Sequence, residues 1–266
     1  MTTIAVRHMW KEYGDQVVLE NVNLTVKTHE FCTIVGASGC GKTTFLRMLL
    51  GEERPTRGEF MIDDAPLPDE PGPDRGIVFQ RYSVFPHLTV LENVLLGLEL
   101  QQAPLLGRLF GSARKAAVER AEAVLNEVGL YEARDKYASA LSGGMQQRLS
   151  IAQSVIKQPK ILLLDEPFGA LDPGISADMH RLILNLWDEH QMTIFMVTHD
   201  IKEGFDLGTR LLVFDKVRLD AQAPNAYGAT ITYDIPLGVT DRSLYKELEE
   251  VTTRTERFTE ELVPAT

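Results

Sequence analysis

The chain has 266 residues, 44% of them hydrophobic and 24% charged, with 38 acidic and 27 basic side chains and a formal net charge of -11. This composition is that of a folded globular protein with one sizeable core, or with one core and a subdomain, and the acidic balance argues against nucleic acid as the main partner. The sequence has only two cysteines and shows no signal-peptide pattern. No run approaches the ~20 apolar residues of a membrane span. These features favour a protein of the reducing cytoplasm.

The first predicted elements are antiparallel strands. In residues 1–28 the segments IAVRHMW and VVLENVNLTV alternate apolar and polar residues, as expected for a sheet with one solvated face. The pattern then changes to four short, nearly continuous apolar runs, FCTIV, RGIVF, KILLLD and TIFMV. Such runs are typical of strands buried on both faces of a mainly parallel sheet. The expected fold class is therefore α/β, with a mainly parallel sheet in the core and an N-terminal antiparallel β subdomain.

Helices are predicted between the strands. Residues 81–158 lie between the runs RGIVF and KILLLD, lack a clear strand pattern and are expected to form a helical subdomain inserted into the core. Within this insertion, Ser142 precedes a helical apolar pattern and is well placed as an N-cap. The predicted domain consists of core segments 1–80 and 159–240 with the insertion between them, and a short tail follows at 241–266, where no chemistry is visible.

A glycine-rich phosphate loop follows the run FCTIV. GASGCGKT, at residues 36–43, comes directly after this predicted strand and before the amphipathic run TTFLRMLL, which is the strand, loop and helix context that the motif requires. The glycines let backbone N–H groups curl around phosphate oxygens, Lys42 reaches the terminal phosphates, and Thr43 can ligate Mg²⁺. The candidate nucleotide-binding residues of this segment are Gly36, Ala37, Ser38, Gly39, Cys40, Gly41, Lys42, Thr43 and Thr44.

Four polar residues follow the ends of apolar runs. They are Gln80 after RGIVF, Asp165 and Glu166 after KILLL, and His199 after TIFMVT. Ligands in open α/β sheets bind outside the carboxyl ends of the strands, so these side chains are expected to face the phosphate loop. Asp165 would hold Mg²⁺ through its hydration shell, and Glu166 would orient and polarise the attacking water. His199 would sense the γ-phosphate, and Gln80 would reach both the metal and the water.

A second candidate phosphate-binding turn lies in LSGGMQQR, at residues 141–148. Ser142, Gly143 and Gly144 stand at the start of a predicted helix, and helix N-termini attract anions. Two such sites on one chain are explained if two copies meet head to tail across a two-fold axis, because this turn of one copy then closes over the nucleotide held by the other. The sequence therefore predicts a dimer built around two nucleotides.

The order and context of these motifs resemble the ABC ATPase family. The resemblance is carried by GASGCGKT, Gln80, LSGGMQQR, ILLLDEP, the ALD of residues 170–172 and His199, and it covers residues 1–235. It implies a P-loop NTPase core and hydrolysis of ATP with Mg²⁺. The LSGGMQQR segment is the most specific of these motifs.

The resemblance also implies two further site residues and a cycle. Tyr13, in KEYG, would be the aromatic side chain that stacks on adenine, and the alternative is a half-buried strand aromatic. Asp172 would link the two active sites across the dimer. Two ATP molecules would close the dimer and thereby move attached membrane helices, and hydrolysis would reopen it.

Among ABC machines, the detached subunit of an importer is the leading interpretation. DNA-repair and chromosome-organising relatives insert long coiled coils, translation-factor relatives carry two ATPase units, and exporters usually fuse the ATPase to membrane helices; this sequence has none of these features. The lack of a large C-terminal regulatory domain resembles the branch that imports nitrate, sulfonate and taurine. The alternatives are the ATPase of an exporter and a soluble ABC machine that is not coupled to transport.

Partners follow from the same resemblance. We expect a homodimer or a pair with a related ATPase, bound to integral membrane permease subunits at the cytoplasmic face of the membrane, and served indirectly by a periplasmic or lipoprotein solute-binding protein. Tyr82 and Phe85 would suit a groove for a permease helix, unless they pack within the helical insertion. Residues 104–115 mix basic and apolar side chains and would lie either near the membrane or in a solvated loop.

Overall fold

The computed structural model describes residues 3–68, 70–80, 83–103, 107–169, 171–218, 220, 222–223 and 225–237. Three features predicted from the sequence lie outside the described residues, wholly or in part. These are Tyr82, the beginning of the segment 104–115 and the tail at 241–266.

The described residues contain ten strands and six α-helices, together with two short 3-10 helices at Tyr131–Ala133 and Ala138–Ala140. In chain order the main elements are β1 (Ile4–Tyr13), β2 (Gln16–Val26), β3 (Phe31–Val35), α1 (Lys42–Leu50), β4 (Arg57–Ile62), β5 (Ala65–Pro66), β6 (Arg75–Val78), α2 (Val90–Gln102), α3 (Gly111–Glu127), α4 (Gly143–Val155), β7 (Ile161–Asp165), α5 (Pro173–His190), β8 (Thr193–Val197), α6 (Ile201–Leu207), β9 (Arg210–Asp215) and β10 (Thr230–Pro236).

Contacts divide the chain into two compact units. The first unit consists of residues 1–72 and 193–266, and it holds β1 to β5, α1, β8 to β10 and α6. The second unit consists of residues 73–192, and it holds β6, β7 and α2 to α5. The second unit therefore contains the predicted helical insertion together with two strands and α5.

An antiparallel sheet in the first unit has the strand order β2-β1-β4-β5. Across β1 and β2, Ile4 pairs with Val26 and Val6 pairs with Leu24, and all four side chains are buried. Because successive residues of a strand point to opposite faces, this register gathers the apolar side chains on one face of the sheet. The antiparallel strands predicted for residues 1–28 are confirmed.

The first unit also contains mainly parallel strands in the order β10-β9-β3-β8. β3 pairs in parallel with both β8 and β9, whereas β10 is antiparallel to β9. Every residue of β3 and β8 is buried, as their continuous apolar runs predict. Phe45 of α1 is also fully buried, and its ring centroid lies 5.4 Å from that of Phe214 and 6.3 Å from that of Phe195. These contacts hold α1 against the strands.

In the second unit, β6 and β7 form a parallel pair. β6 ends at Val78, one residue earlier than the run RGIVF predicts, because Phe79 leaves the strand and is 38% exposed. Within the described part of residues 81–158 the regular elements are α2, α3, α4 and the two 3-10 helices. The prediction of a helical insertion is therefore confirmed.

The start of α2 is fixed by two sets of hydrogen bonds. Thr89 Oγ1 accepts from the Glu92 N–H at 3.2 Å, and the Glu92 carboxylate accepts from the Thr89 N–H at 2.8 Å. This capping box satisfies N–H groups that a helix start leaves without partners, and the bond from the Thr89 backbone holds the pKa of Glu92 below its ordinary value. The buried amide of Asn93 bonds to the backbone N–H and carbonyl of Phe85, whose ring remains 43% exposed.

Candidate functional site

The phosphate loop joins β3 to α1 in the first unit, and its shape requires glycine at two positions. A Cβ atom on Gly36 would lie 2.1 Å from the carbonyl oxygen of Phe214, at the end of the neighbouring β9. Gly41 caps the N-terminus of α1 with a φ of 84°, and a Cβ there would lie 2.7 Å from Leu19 Cδ2. Only glycine tolerates both the left-handed backbone and these close approaches. The loop therefore presents its backbone at the N-terminus of α1, which is a suitable place for phosphate.

Lys42 is folded over this loop. Its side chain is buried, and Nζ donates to the carbonyl oxygens of Gly36 at 2.6 Å and Ala37 at 2.9 Å. The carbonyls stabilise an ammonium group that burial would otherwise penalise. Ser38 and Thr43, in contrast, are exposed, and Thr44 is half-buried. The loop thus holds one positive charge within its curve and leaves hydroxyl groups accessible.

Cys40 is the candidate nucleotide-binding residue of the loop that carries a thiol. Its thiol is buried, and desolvation raises its pKa above the ordinary value, although the ammonium of Lys42 opposes this shift. Lys42 Nζ lies 3.8 Å from Cys40 Sγ. Because the thiolate is the reactive form of cysteine, a raised pKa predicts slow reaction of this thiol with alkylating reagents.

Tyr13 lies at the end of β1 and is 45% exposed. Its hydroxyl donates to the Glu53 carboxylate, and Lys11 Nζ lies 4.8 Å from the centroid of its ring. Burial, together with the bond to Glu53, raises the pKa of Tyr13 to about 12. Burial disfavours the charged form of Glu53, but hydrogen bonds from Tyr13 and Lys11 outweigh that effect and hold the pKa of this carboxyl below its ordinary value. The ring of Tyr13 is therefore held by partners while part of it remains accessible.

His199 follows β8 in the first unit and is exposed. The neighbouring backbone is well defined, because Thr198 Oγ1 accepts from the Asp200 N–H at 3.0 Å. Asp200 in turn caps α6 by accepting from the N–H of Lys202 at 2.8 Å. The structure thus places the imidazole on a fixed turn at the carboxyl end of a parallel strand.

Asp165 and Glu166 lie at the carboxyl end of β7 in the second unit, and both are half-buried. Gln80 Nε2 donates to Glu166 Oε2 at 3.1 Å, so the structure brings together two of the residues that the sequence assigns to catalysis. Glu166 has a φ of 47°, a left-handed conformation that is uncommon outside glycine and is often found at functional sites.

The LSGGMQQR segment forms the start of α4. The prediction that Ser142 is the N-cap is confirmed, because Ser142 Oγ accepts from the Met145 N–H at 3.4 Å. Ser142 and Gly143 are exposed, whereas Gly144 is buried so closely against α5 that a Cβ would lie 2.9 Å from Ile175 Cγ2. Asp172 is exposed at the N-cap position of α5 and makes no capping hydrogen bond.

The predicted site residues are divided between the two units. Tyr13, the phosphate loop and His199 belong to the first unit, whereas Gln80, Asp165, Glu166, Asp172 and the Ser142 turn belong to the second. The predicted metal ligands Thr43, Gln80 and Asp165 offer hydroxyl, amide and carboxylate oxygens, which are the ligand types that Mg²⁺ prefers.

Two residues with close contacts to the candidate site were missed by sequence reasoning. Glu53 accepts a hydrogen bond from Tyr13. No local sequence pattern could predict this contact, because the two residues are 40 positions apart in the chain. Gln147 is fully buried and bonds to the backbone at Pro167. A signal for Gln147 existed, because it is a polar residue four positions before the buried Ile151 on the same helix.

None of the helices in the part of the chain that the structure describes combines the length and the hydropathy that a membrane span needs.

Comparisons with known proteins agree on one family. The family model of the ABC transporter matches residues 19–169. The spermidine/putrescine import ATP-binding protein PotA of Bacillus anthracis is 39% identical over 219 residues, which make up 82% of this chain and 64% of that protein. This chain therefore spans less than two thirds of that relative. The nitrate import ATP-binding protein NrtD of Synechocystis sp. is 40% identical over 223 residues, 84% of this chain and 78% of that protein.

A solved structure of an ATP-binding cassette is also similar to this chain. The ATP-binding cassette MJ0796, in a dimeric post-hydrolysis state bound to ADP and Pi, is 28% identical to this chain with a TM-score of 0.69. The match covers 89% of this chain and 100% of that one.

Proposed function

This chain belongs to the ABC transporter family, and on that premise we propose that it binds and hydrolyses ATP as the motor subunit of an importer of a small solute. The observation that carries the proposal is the phosphate loop, in which Gly36 lies against the Phe214 carbonyl and the buried Lys42 ammonium lies over the loop. This arrangement combines a backbone that can approach a ligand closely with a fixed positive charge, as binding of a nucleoside triphosphate requires.

The first unit would bind the nucleotide. Tyr13 stacks on adenine with the part of its ring that stays exposed, and the bond to Glu53 limits the rotation of that ring. Lys42 exchanges the carbonyls of Gly36 and Ala37 for the terminal phosphate oxygens, and the loop N–H groups contact the remaining oxygens. His199 contacts the γ-phosphate and thereby distinguishes ATP from ADP.

The second unit would supply the groups for hydrolysis. Glu166 orients the attacking water and accepts its proton, because an ionised carboxylate accepts hydrogen bonds without donating any and can take a proton as the bond to phosphorus forms. Gln80 holds Glu166 in place through their 3.1 Å hydrogen bond. Mg²⁺, held by Thr43, Asp165 and Gln80, would neutralise the charge that develops on the phosphates.

A dimer would complete each site. In this proposal the Ser142–Gly144 turn of one copy, which is exposed at Ser142 and Gly143, contacts the nucleotide held by the other copy, and Asp172 lies between the two sites. The dimeric state of the ADP- and Pi-bound cassette supports this arrangement. Loss of the γ-phosphate removes contacts to Ser142 and His199, and the dimer reopens.

The transported compound is proposed to be a small solute of the nitrate, sulfonate and taurine type. Support comes from the 40% identity to the nitrate import protein over 78% of that relative. The polyamine import protein has a similar identity over a smaller share of its own length. Selection of the solute belongs to the permease and solute-binding subunits, so the chain itself contains no pocket for it in this proposal.

The importer proposal is tested by purifying the tagged chain from its native membranes in mild detergent and identifying the co-purifying proteins by mass spectrometry. We expect a polytopic membrane protein and a solute-binding protein in near-stoichiometric amounts. A Phe85→Asp variant serves as a control, because Phe85 is exposed in the segment proposed to seat the permease, and it should lose the membrane protein while still binding ATP. Recovery with cytoplasmic partners alone would contradict the importer and favour a soluble ABC machine.

A further inference from the structure

A buried amide on α4 contacts the turn that follows β7. Gln147 is fully buried, and its Nε2 donates a 2.8 Å hydrogen bond to the carbonyl oxygen of Pro167. Pro167 directly follows Glu166, whose carboxylate accepts from Gln80. All four residues belong to the second unit. The amide therefore bonds to the backbone immediately beside the candidate base.

While Gln147 Nε2 makes this hydrogen bond, the amide oxygen of the same side chain is left without a partner among the described residues. This oxygen, Oε1, is buried. An unpaired buried acceptor destabilises a fold, and an apolar side chain of similar volume would avoid that penalty. The bond to Pro167 is the feature that such an apolar side chain would lack.

The turn after β7 needs support from outside. The φ of 47° at Glu166 is unfavourable for a residue with a Cβ atom, and it persists only where surrounding contacts hold it. Within the turn, the Gly169 N–H lies 3.4 Å from the Glu166 carbonyl oxygen, which is long for a hydrogen bond. The shorter bond from Gln147 anchors the same turn to α4.

From these observations we propose that Gln147 is a positioning residue for Glu166. Its amide fixes the Pro167 peptide, and this keeps the strained backbone at Glu166 in the conformation that places the carboxylate beside Gln80. Gln147 itself does not contact the nucleotide in this proposal. The inference rests on the proposed function, in which Glu166 orients the attacking water.

The position of Gln147 on α4 gives the bond a second consequence. A helix rises about 1.5 Å per residue, so Gln147 lies about 7.5 Å along the axis from Ser142, at the start of the same helix. Ser142 is proposed to contact the nucleotide of the partner copy. In the proposed dimer, Ser142 of one copy contacts the nucleotide of the partner copy, whereas Glu166 of that same copy acts on its own nucleotide. The helix α4 and the hydrogen bond from Gln147 to Pro167 therefore connect the two sites.

The test compares Gln147→Met with Gln153→Met. Methionine keeps the length of the side chain but removes the donor, and Gln153 is a matched control on the same helix because its Nε2 bonds to Asn93 instead. We expect Gln147→Met to lower kcat for ATP hydrolysis about tenfold or more with KM changed less than about threefold. Gln153→Met should leave both near wild type, and the melting temperatures of the two variants should be similar.

A second measurement separates positioning from a general loss of structure. If Gln147 acts through Glu166, then Gln147→Met should cause little further loss in a Glu166→Gln background, because interacting residues are non-additive. Gln147→Glu adds a pH readout: a protonated carboxyl can donate to Pro167, whereas a carboxylate cannot. Its kcat relative to wild type should therefore rise as the pH is lowered.

The outcomes distinguish the inference from the proposed function. Equal kcat values for Gln147→Met and Gln153→Met, or a full additional loss in the Glu166→Gln background, would overturn the positioning role while wild-type hydrolysis stands. A wild-type chain that binds no ATP and does not hydrolyse it would instead overturn the proposed function and the inference with it.

Discussion

The phosphate loop and the turn at Glu166 reach their shapes by different means. The loop is built from backbone: Gly36 and Gly41 permit its close approaches, and Lys42 bonds to two of its carbonyl oxygens and lies near the Cys40 thiol. The turn contains a residue with a side chain in a left-handed conformation, and side chains hold it, since Gln80 bonds to the Glu166 carboxylate and Gln147 to the next carbonyl.

This difference suggests that the phosphate loop serves nucleotide binding and that the turn at Glu166 serves hydrolysis. A loop made of glycine backbone changes little when one side chain moves, so it suits binding that must occur in every cycle. The Glu166 turn depends on side-chain amides, one bonded to the carboxylate and one to the neighbouring Pro167 carbonyl, so its geometry is more sensitive to a single side-chain change. Substitutions in the loop are therefore expected to affect nucleotide affinity, and those at the turn to affect the rate of hydrolysis.

The largest expected effect comes from Glu166→Gln. Removal of the proposed base should lower kcat by about 100- to 10,000-fold, the range that general base catalysis contributes, while ATP affinity stays within a few-fold of wild type. Steady-state hydrolysis and nucleotide titration measure the two quantities. Glu119→Gln, which changes an exposed glutamate of α3, should behave like wild type. Near-normal hydrolysis by Glu166→Gln would show that this residue is not the base and that the turn does not control the rate of hydrolysis.

Lys42→Ala is expected to lower the affinity for ATP rather than kcat. A charged hydrogen bond contributes about 1.5–3 kcal/mol, which corresponds to a loss of about 10- to 100-fold in ATP affinity. Titration with a fluorescent ATP analogue measures it, and Lys115→Ala, which changes an exposed lysine, is the control. Unchanged affinity with reduced kcat would show that the loop lysine belongs to the turnover step instead.

The reactivity of Cys40 reports on how the phosphate loop encloses its own side chains and its ligand. Desolvation raises the pKa of this thiol, so labelling of Cys40 in a Cys32→Ser background should be slow near pH 7 and should rise with pH more steeply than for an exposed thiol. MgATP should slow the labelling further, because a ligand in the loop covers the thiol. The control is Cys32 in a Cys40→Ser background, since Cys32 is buried in β3, and its labelling should not respond to nucleotide. Equal labelling of Cys40 with and without MgATP would contradict its placement.

The smallest expected effect concerns the ring of Tyr13. Glu53→Gln removes a charge and should lower the pKa of Tyr13 from about 12, leaving it above the ordinary value because burial, the larger cause, remains. An ultraviolet difference titration against Tyr13→Phe measures this. Because the folded pKa is raised, the stabilisation is present below the pKa of an unfolded tyrosine and is lost as the pH rises through about 12. An unchanged pKa in Glu53→Gln would show that Glu53 does not hold the ring.

Much of the fold could be predicted from local patterns. The strands at FCTIV and TIFMV follow from uninterrupted burial, and every residue in both is buried. Ser142 as an N-cap follows from the residue types around a helix start. Each of these signals is contained within a few consecutive residues, which is why the sequence alone reveals it.

The supporting contacts of the site could not be predicted in this way. The bond from Gln147 joins residues 20 positions apart, and that from Tyr13 to Glu53 spans 40. The φ of 47° at Glu166 could not be predicted from the sequence, because glycine and asparagine are the residue types that commonly adopt such a conformation. Motifs therefore predict candidate reacting groups, whereas the residues that hold them depend on tertiary packing.

Sedimentation of the Glu166→Gln variant with MgATP and with MgADP tests the claim that ATP is bound between two copies of this chain. We expect the 29.7 kDa chain to form a dimer with MgATP, which this variant binds but hydrolyses slowly, and to remain a single chain with MgADP. A Ser142→Asp change in the same variant should abolish the dimer, because a carboxylate would repel the γ-phosphate. A variant that binds MgATP with unchanged affinity and still sediments as a single chain would contradict the claim.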